Sequence, residues 1–597
     1  MVRSYHLAIA AALLVPSTLV AQVKNPVAAA RPDPWAALLL PTKHAPAPTT
    51  AAITAADLRT RLFVYADDSM QGRRTGTMAN FKAVEYIASE AKRFGLQPAG
   101  QDGTFFQTVH VPVETRTFDS TATIAVDGAP LVPWTDYLPR DPGGTLLPTH
   151  GVQVIYGGSW QDSNSVISTA QAAGKFVVIT STATAPDNPP GIPPRPDVAF
   201  HFRNSIGVAV VGLEQFPAEK LQQYRQPGFG QPSTRTSRAY LYITKPAAER
   251  LLGVPLASAT PGMAGKTLGG TLRYIVQPSE LPFEQPARNV VALLPGSDPT
   301  LRSEFVVIGA HNDHIGTVSA GMSDIQRPMA HDSIYIVDHL FRKGGADDTL
   351  PNPNAMQQKR VNDILAAVRK RSGGRSARID SVFNGADDDG SGTVSMLEIA
   401  QYLAAQPIKP KRSILFVWHV GEEEGLWGSG WFTDHPTVPR ESIVAELNMD
   451  MVGRGAAMDE TGTSIGGKKL HGGPGYLQVV GSRRLSTELG DLVESVNASG
   501  HHGLKFDYAM DANGHPQNIY CRSDHYEYAR YGIPIAFFTT GGHADYHQLT
   551  DEPQYIDYNK MAQVDNFVAD LAKHVANLDH RVVVDQPKPD PYGACRQ

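Results

Sequence analysis

Cysteine is scarce in this chain. Among 597 residues there are two, Cys521 and Cys595, and neither sits in the paired spacing by which thiolates hold a structural metal. The two could bond to each other in an oxidising compartment or remain thiols, because sequence does not show how closely their Cα atoms approach. A basic excess is missing as well: 53 Lys and Arg against 59 Asp and Glu leave a net charge of −6 with no basic stripe, which argues against nucleic acid as a partner. Beyond the N-terminus no run is long and apolar enough to span a bilayer. What the chain does have is length and 42% hydrophobic residues, enough for several domains with sizeable cores.

The N-terminus has the form of an export signal. Met1-Val2-Arg3 supplies a positive flank, 7–20 a short apolar core, and Ala21 a cleavage point, so residues 1–21 are expected to be a signal peptide and the mature chain periplasmic or extracellular. A membrane anchor is the competing reading, and the core is short for a span. Residues 22–52, rich in Ala and Pro, read as a flexible leader.

Four apolar runs, at 305–310, 414–420, 443–447 and 533–538, read as buried strands. Metal-type side chains lie at the ends of apolar runs: His311, Asp388, Glu423, Asp450 and His547. In an open α/β sheet ligands bind beyond the carboxyl ends of parallel strands, so these side chains should converge. Carboxylates outnumber imidazoles and thiolate is absent, a set suited to zinc, cobalt or manganese in a dinuclear catalytic site. In Gly309-Ala310-His311-Asn312-Asp313-His314, Asp313 is placed to accept a hydrogen bond from the second ring nitrogen of His311 and fix its tautomer. In Gly421-Glu422-Glu423-Glu424-Gly425-Leu426, adjacent residues leaving a strand point to opposite sides, so one glutamate can ligate while the other works on water. The same acidic run also fits a helix N-terminus, where carboxylates offset the macrodipole.

Taken together these stretches resemble peptidase family M28, the aminopeptidase-type metallopeptidases with co-catalytic zinc. The similar segments, in the family's order, are Gly-Ala-His-Asn-Asp-His at 309–314, Gly-Ala-Asp-Asp-Asp-Gly-Ser-Gly at 385–392, Gly-Glu-Glu-Glu-Gly-Leu-Trp-Gly-Ser at 421–429, Leu-Asn-Met-Asp-Met-Val-Gly at 447–453 and Asp-Tyr-His-Gln-Leu-Thr-Asp at 545–551. An upstream block, Ala66-Asp67-Asp68 with Gly72-Arg73-Arg74-Thr75-Gly76-Thr77, and Ser523-Asp524-His525 before Gly532-Ile533-Pro534 resemble family segments too. The resemblance implies an α/β fold, a three-layer sandwich around a mostly parallel mixed sheet. It implies two divalent ions, zinc first among them, with Asp388 bridging, His311 and Asp450 completing one site, and Glu423 and His547 the other. Asp388 is chosen within the triple aspartate because it directly precedes the x-Gly-Ser-Gly step, which leaves the choice open by one residue. Glu422 would be the general base and Tyr546 the stabiliser of the oxyanion, with peptides as substrates. His314, His525, His543 and Asp524 receive no ligand role, since a histidine satisfied by its neighbours is the plainer reading.

The rest of the chain divides around that domain. Apolar residues at three- and four-residue intervals from Asp57, and again from Phe81 to a stop at Gly95, read as two helices, and 105–126 alternates like a half-buried strand or hairpin. These belong to a first part of the peptidase domain, 53–130, expected to pack on its sheet. Short β-like runs at 152–156, 175–180, 207–211 and 239–243, separated by turns such as Asp187-Asn188-Pro189-Pro190-Gly191, give 131–275 a different character. That stretch resembles an inserted β-rich protease-associated (PA) domain, with Gly174-Lys175-Phe176-Val177-Val178 similar to its core strand. The peptidase domain resumes over 276–585 and ends in a tail, 586–597. It carries an insertion at 315–384, longer than a structureless loop should be, with a helical stretch at 361–371 and a role as lid or oligomer contact. Gly345-Ala346-Asp347-Asp348 repeats the start of the ligand motif without its Ser-Gly and is set aside. Nothing in the sequence fixes the oligomeric state.

One motif competes for the same aspartates. Asp387-x-Asp389-x-Ser391-Gly392, with Glu398 at the twelfth position, fits an EF-hand loop and would add Ca2+ as a ligand, although only a short helix could precede it and no second loop is visible. On the peptidase reading Glu398 is expected to be dispensable. Three functions follow from the sequence: an exported exopeptidase of aminopeptidase type; a carboxypeptidase or glutaminyl cyclase on the same scaffold; or a non-catalytic or EF-hand-like calcium-binding protein. Retention of the whole ligand set and Glu422 argues against the third. End-group selection lives in pocket residues and loops, so the first two stay unseparated.

Overall fold

The computed structural model describes residues 34–597 apart from 141–142, 161, 163–164, 182–190, 194, 231–235, 319–328, 343–350 and 377. The signal peptide, the first part of the leader, most of the 187–191 turn and the 345–348 repeat therefore lie outside the described residues.

The larger sheet is built from the apolar runs. Phe305–His311, Ser413–His419, Ile443–Met449 and Ile535–Thr539 lie side by side and parallel, in the spatial order 413–419, 305–311, 443–449, 535–539. Antiparallel strands Arg288–Leu294 and Tyr476–Val480 flank them. Alternate residues of each buried strand serve opposite faces. Val306, Ile308, Ile414, Phe416 and Trp418 meet the helices Ala55–Tyr65, Met78–Arg93, Gly392–Ala405 and Tyr558–Asn577, whereas Val307, Leu415 and Val417 meet Trp427–Asp434 and His525–Ala529. The result is the three-layer α/β sandwich around a mixed sheet. The first two helices begin where Thr54 and Thr77 accept backbone N–H bonds, and Gly95 takes φ +83° just beyond the second, the left-handed stop its position suggests.

A second, eight-stranded sheet has Gln153–Ser159, Phe176–Thr180, Gly207–Val211 and Ala239–Ile243 parallel at its centre, with cores on both faces. Helices such as Lys245–Leu252 cover it, so the unit mixes α and β and is less purely β than its turns suggest. It also begins earlier than residue 131. Thr123–Val126 pairs with Ala264–Thr271 in this sheet, and Pro112–Phe118 pairs with Tyr274–Glu280 in a separate ribbon. Of the alternating stretch 105–126, only Phe106–Thr108 joins the large sheet. Alternation reports a half-buried strand, not which sheet receives it.

The 315–384 insertion has its own small core. Helices His331–Phe341 and Ala355–Arg371 bring Tyr335, Ile336, Val337, Val361 and Val368 together with Leu38, from the short helix Pro34–Leu39. The second helix starts six residues before 361, where Asn354 and Gln357 form a capping box. The described part of the leader, largely exposed over 40–52, is fastened at points: Leu38 is buried, and Thr49 hydrogen-bonds Gln401 and Arg61. The tail is fastened as well, since Cys595 bonds to Cys521 with Cα atoms 5.9 Å apart.

Candidate metal centre

The centre forms where the parallel strands end. His311 is the last residue of its strand, Glu422 and Glu423 follow 413–419 by three and four residues, Asp450 directly follows 443–449, and His547 lies in the loop beyond 535–539. Asp388 comes from the turn before Gly392–Ala405, a helix packed across the sheet.

Within the triple aspartate only Asp388 turns its carboxylate into this space. Asp387 accepts from the Gly453 N–H at 2.7 Å, and Asp389 accepts from the N–H groups of His311, Gly392 and Met451 at 3.1, 2.8 and 3.2 Å. Behind the turn, the Asp551 carboxylate accepts from the N–H groups of Asp387 and Asp388 at 3.0 and 3.1 Å. Arg73, buried in the upstream block, donates to the carbonyls of Asn384 and Gly385 at 2.7 and 2.9 Å.

The two oxygens of Asp388 face different partners. Oδ1 lies 3.1 Å from His311 Nε2, which is 3.8 Å from Asp450 Oδ1; Oδ2 lies 3.0 Å from His547 Nε2, which is 3.0 Å from Glu423 Oε2. Ser523 donates to the outer oxygen of Asp450 at 2.8 Å. Met451 and His547 hold φ of 58° and 55°, left-handed values that cost a side-chain-bearing residue about 1–2 kcal/mol and persist where the surroundings dictate them.

Asp313 does a different job from the one expected. The nearest acceptor to His311 Nδ1 is the Asp313 backbone carbonyl at 3.2 Å, with the carboxylate at 3.7 Å. That carboxylate instead accepts from the N–H groups of Gly421 and Glu422 at 2.8 and 3.2 Å and from Thr75 Oγ1 at 2.9 Å. It therefore ties the strand carrying His311 to the turn carrying Glu422. Tyr546 is half-buried and stacked on His547, with ring centroids 3.9 Å apart.

The charge balance suits divalent cations. Burial pushes the Glu422 carboxyl well above its usual range and Asp450 up to about 7, with neighbouring carboxylates adding to both. Asp388 and Glu423 are held low against the same burial by the imidazoles beside them, Glu423 at about 2. So many carboxylates in one dry space call for positive charge, and the donors are the oxygen and imidazole type that zinc accepts.

The calcium-loop reading does not survive the geometry. Asp389 spends its oxygens on backbone N–H groups, Asp387 divides its own between the Gly453 N–H and His543, and Ser391 Oγ donates to the Asp387 carbonyl. Glu398, the anchor of such a loop, is buried against Arg61, whose Nε donates to it at 2.8 Å. That buried pair gives Glu398 a part in holding the helices together, outside the metal centre.

His314 is a residue that sequence reasoning passed over. Its Nδ1 is 2.6 Å from Glu423 Oε1 and 3.9 Å from Asp388 Oδ2. The signal available was its position one residue after Asp313, in a loop already committed to the centre. His543 Nε2, by contrast, lies 3.2 Å from Asp387 Oδ2, and His525 Nε2 meets the Tyr520 carbonyl at 2.8 Å, both in supporting positions.

The family model described as "Peptidase family M28" matches residues 374–572. That stretch, a third of the chain, is similar to the family's catalytic domain. The matched span includes Asp388, Glu422, Glu423, Asp450 and His547, and the fold adds His311 and Asp313 from outside it. Over 187 residues the chain is 29% identical to leucine aminopeptidase 1 of Aspergillus oryzae, and over 127 residues 38% identical to the vacuolar membrane protease of Yarrowia lipolytica. These matches cover 30% and 20% of this chain and span 43% and 13% of the relatives' lengths. Among solved structures, the Aneurinibacillus sp. strain AM-1 aminopeptidase aligns over 90% of this chain and 97% of its own, at 16% identity and a TM-score of 0.42. The Bacillus subtilis zinc aminopeptidase aligns over 88% and 95%, at 15% identity and 0.41. No described helix is long and apolar enough to cross a membrane.

Proposed function

We propose that this M28-like domain is a metal-dependent exopeptidase of aminopeptidase type, with two divalent ions, zinc first among them, held by His311, Asp388 and Asp450 on one side and Asp388, Glu423 and His547 on the other. The observation that carries the reading is the Asp388 carboxylate, whose two oxygens each face a separate imidazole and carboxylate set. When bound, the two ions would lower the pKa of a shared water and polarise the scissile carbonyl.

The chain's own groups supply the rest. Glu422 takes the water proton and passes it to the leaving amine; its carboxyl, raised by burial and by Asp450 and Glu423 nearby, is suited to holding a proton between those steps. Asp313 fixes Glu422 through the backbone bonds described above. The Tyr546 hydroxyl, on the wall of the same cavity as Asp388 and Glu422, donates to the developing oxyanion. That cavity, about 320 Å3, runs from the centre to Met451, Met510, Ile519 and Phe537, an apolar wall suited to a large apolar side chain. A leucine aminopeptidase among the relatives agrees with that chemistry.

A carboxypeptidase reading has one observation in its favour: Arg522, an exposed guanidinium, also lines this cavity and could meet a substrate carboxylate. Export has the N-terminal signal pattern behind it, together with a disulfide that persists in oxidising compartments. The sheet at residues 123–271 is read as the inserted PA-type domain. The test is a panel of amino-acyl and carboxyl-terminal chromogenic substrates, with and without chelation. Hydrolysis of leucyl substrates, lost on chelation and restored by zinc, is expected. Cleavage confined to free C-termini moves the assignment to carboxypeptidase, and full activity with no metal detectable overturns both.

A further inference from the structure

His314 enters the centre on the His547 side. The chain leaving His311 is tied back by hydrogen bonds from the N–H groups of His314 and Gly316 to the carbonyls of Arg73 and Gly72, at 3.4 and 2.9 Å. This lays the imidazole against Gly385, where a Cβ would stand 2.5 Å from the ring, so the room exists because that residue is glycine. The ring is buried and packs edge-on to His547, with centroids 5.6 Å apart.

Tetrahedral zinc with bonds of about 2.0–2.1 Å holds neighbouring donors roughly 3.3 Å apart. His547 Nε2 stands 3.0 Å from Asp388 Oδ2 and 3.0 Å from Glu423 Oε2, and His314 Nδ1 stands 3.9 Å from Asp388 Oδ2 and 2.6 Å from Glu423 Oε1. The separations to Asp388 Oδ2 and Glu423 Oε2 lie around that edge, and the 2.6 Å contact of His314 with the other Glu423 oxygen is a hydrogen bond that must lengthen when metal loads. One donor atom from each of His314, Asp388, Glu423 and His547 lies within 4.8 Å of every other, whereas the other half of the centre offers three such residues, His311, Asp388 and Asp450. We propose that His314 is a sixth protein ligand of the centre, giving the Glu423–His547 site four protein donors against three at the His311–Asp450 site. This rests on the metal-dependent reading above and deepens it.

The consequence is a division of labour. A zinc site with three protein donors keeps a position for water or substrate, and one with four takes a shared water by expanding to five donors. Glu422 and Asp450 line the same cavity, so the proton acceptor stands on the side of the three-donor half. The four-donor half fills first and empties last. The competing role for His314 is to hydrogen-bond Glu423 and orient it without touching the ion, which alone lowers metal affinity by about 10- to 100-fold when lost. An affinity measurement therefore does not separate the two roles, and a count of imidazoles does.

The test uses the full chain, freed of metal with a chelator and reloaded with one or two equivalents of zinc, with X-ray absorption at the zinc edge counting imidazoles. At one equivalent two imidazoles per zinc are expected, His314 and His547, falling to one in His314→Ala. In parallel, dialysis of the fully loaded protein should remove one zinc quickly and the other slowly, with the difference lost in the variant. One imidazole per zinc in the unsubstituted protein at both loadings overturns the ligand role, whatever the variant does. Failure to bind zinc at all instead defeats the metal-centre reading on which it rests.

Discussion

The change Glu398→Gln separates the fold's account of this residue from the account its sequence motif suggests. The Glu398 side chain is buried on Gly392–Ala405; Oε2 accepts from Arg61 Nε at 2.8 Å and Oε1 from the Thr54 N–H at 3.2 Å, which ties down the start of Ala55–Tyr65. Arg61 is 1% exposed, so its charge has little recourse to water. Removing one partner of a buried pair costs about 3–5 kcal/mol because the other charge is stranded. Here Glu90 still reaches Arg61 Nη1 at 2.5 Å, and glutamine keeps a carbonyl acceptor, so the expected loss is about 2–3 kcal/mol. In urea, with a slope of about 3 kcal/mol/M, the midpoint falls by roughly 0.7–1 M. The described chain holds two large sheets with separate cores, so the transition should be followed through loss of hydrolysis alongside circular dichroism rather than read as one two-state event. Below the transition, hydrolysis per folded molecule stays near normal and calcium affinity stays negligible in both proteins. An unshifted midpoint, or a loss of activity reversed by calcium, refutes the ion-pair account. The paired change Arg61→Met with Glu398→Leu should recover part of the loss, since an apolar pair strands no charge.

Glu422→Gln should lower hydrolysis by about a hundredfold or more with zinc content by elemental analysis unchanged, and near-normal turnover would remove Glu422 from the base role. Asp388→Asn should cost most of the activity and at least one zinc per chain, because an amide offers one oxygen where the carboxylate serves two donor sets. Acid should weaken the fold through His525, whose buried ring is pushed down to about 3 against an ordinary 6.5. The folded state keeps it neutral while the unfolded chain takes up a proton, so stability present above pH 6.5 is lost as pH falls toward 3, by about 2 kcal/mol at pH 5. His525→Gln should flatten the drop in urea midpoint between pH 7 and 5, and an unchanged drop would assign the acid sensitivity elsewhere.

Much of the catalytic layer was legible because its strands are buried on both faces. The apolar run at 305–310, and that at 443–447 broken only by Glu446, read as strands buried on both faces, and the polar residue beyond each is placed by the sheet itself. Asp388 was legible to within one residue, since Asp387, Asp388 and Asp389 differ only in which backbone N–H groups they meet, and those come from 311, 392, 451 and 453, far away in sequence. The ion pair of Glu398 is illegible for the same reason: its partner Arg61 lies 337 residues earlier. Within 105–126 only Phe106–Thr108 joins the large sheet as expected, and 112–118 and 123–126 pair elsewhere, because period-two alternation carries no information on the receiving edge.

The insertion shows a further way in which tertiary contacts outrun sequence. Its sequence repeats only the start of the ligand motif, at 345–348, yet His331 and Arg378 meet Glu552, and His339 Nε2 approaches the Asp545 carboxylate at 3.7 Å. Asp545 and Glu552 bracket the loop that carries Tyr546 and His547, and Asp551 within that loop receives the backbone N–H groups behind Asp388. Arg454, buried, pairs with Asp545 from the opposite side at 2.6 Å. The loop bearing one imidazole of the centre is thus clamped between the Asp450 segment and the insertion, while its own Asp551 fixes the turn of the bridging carboxylate. A segment resembling a lid by length alone takes part in holding the metal-facing loop in place, and this role follows from ion pairs that no local pattern encodes.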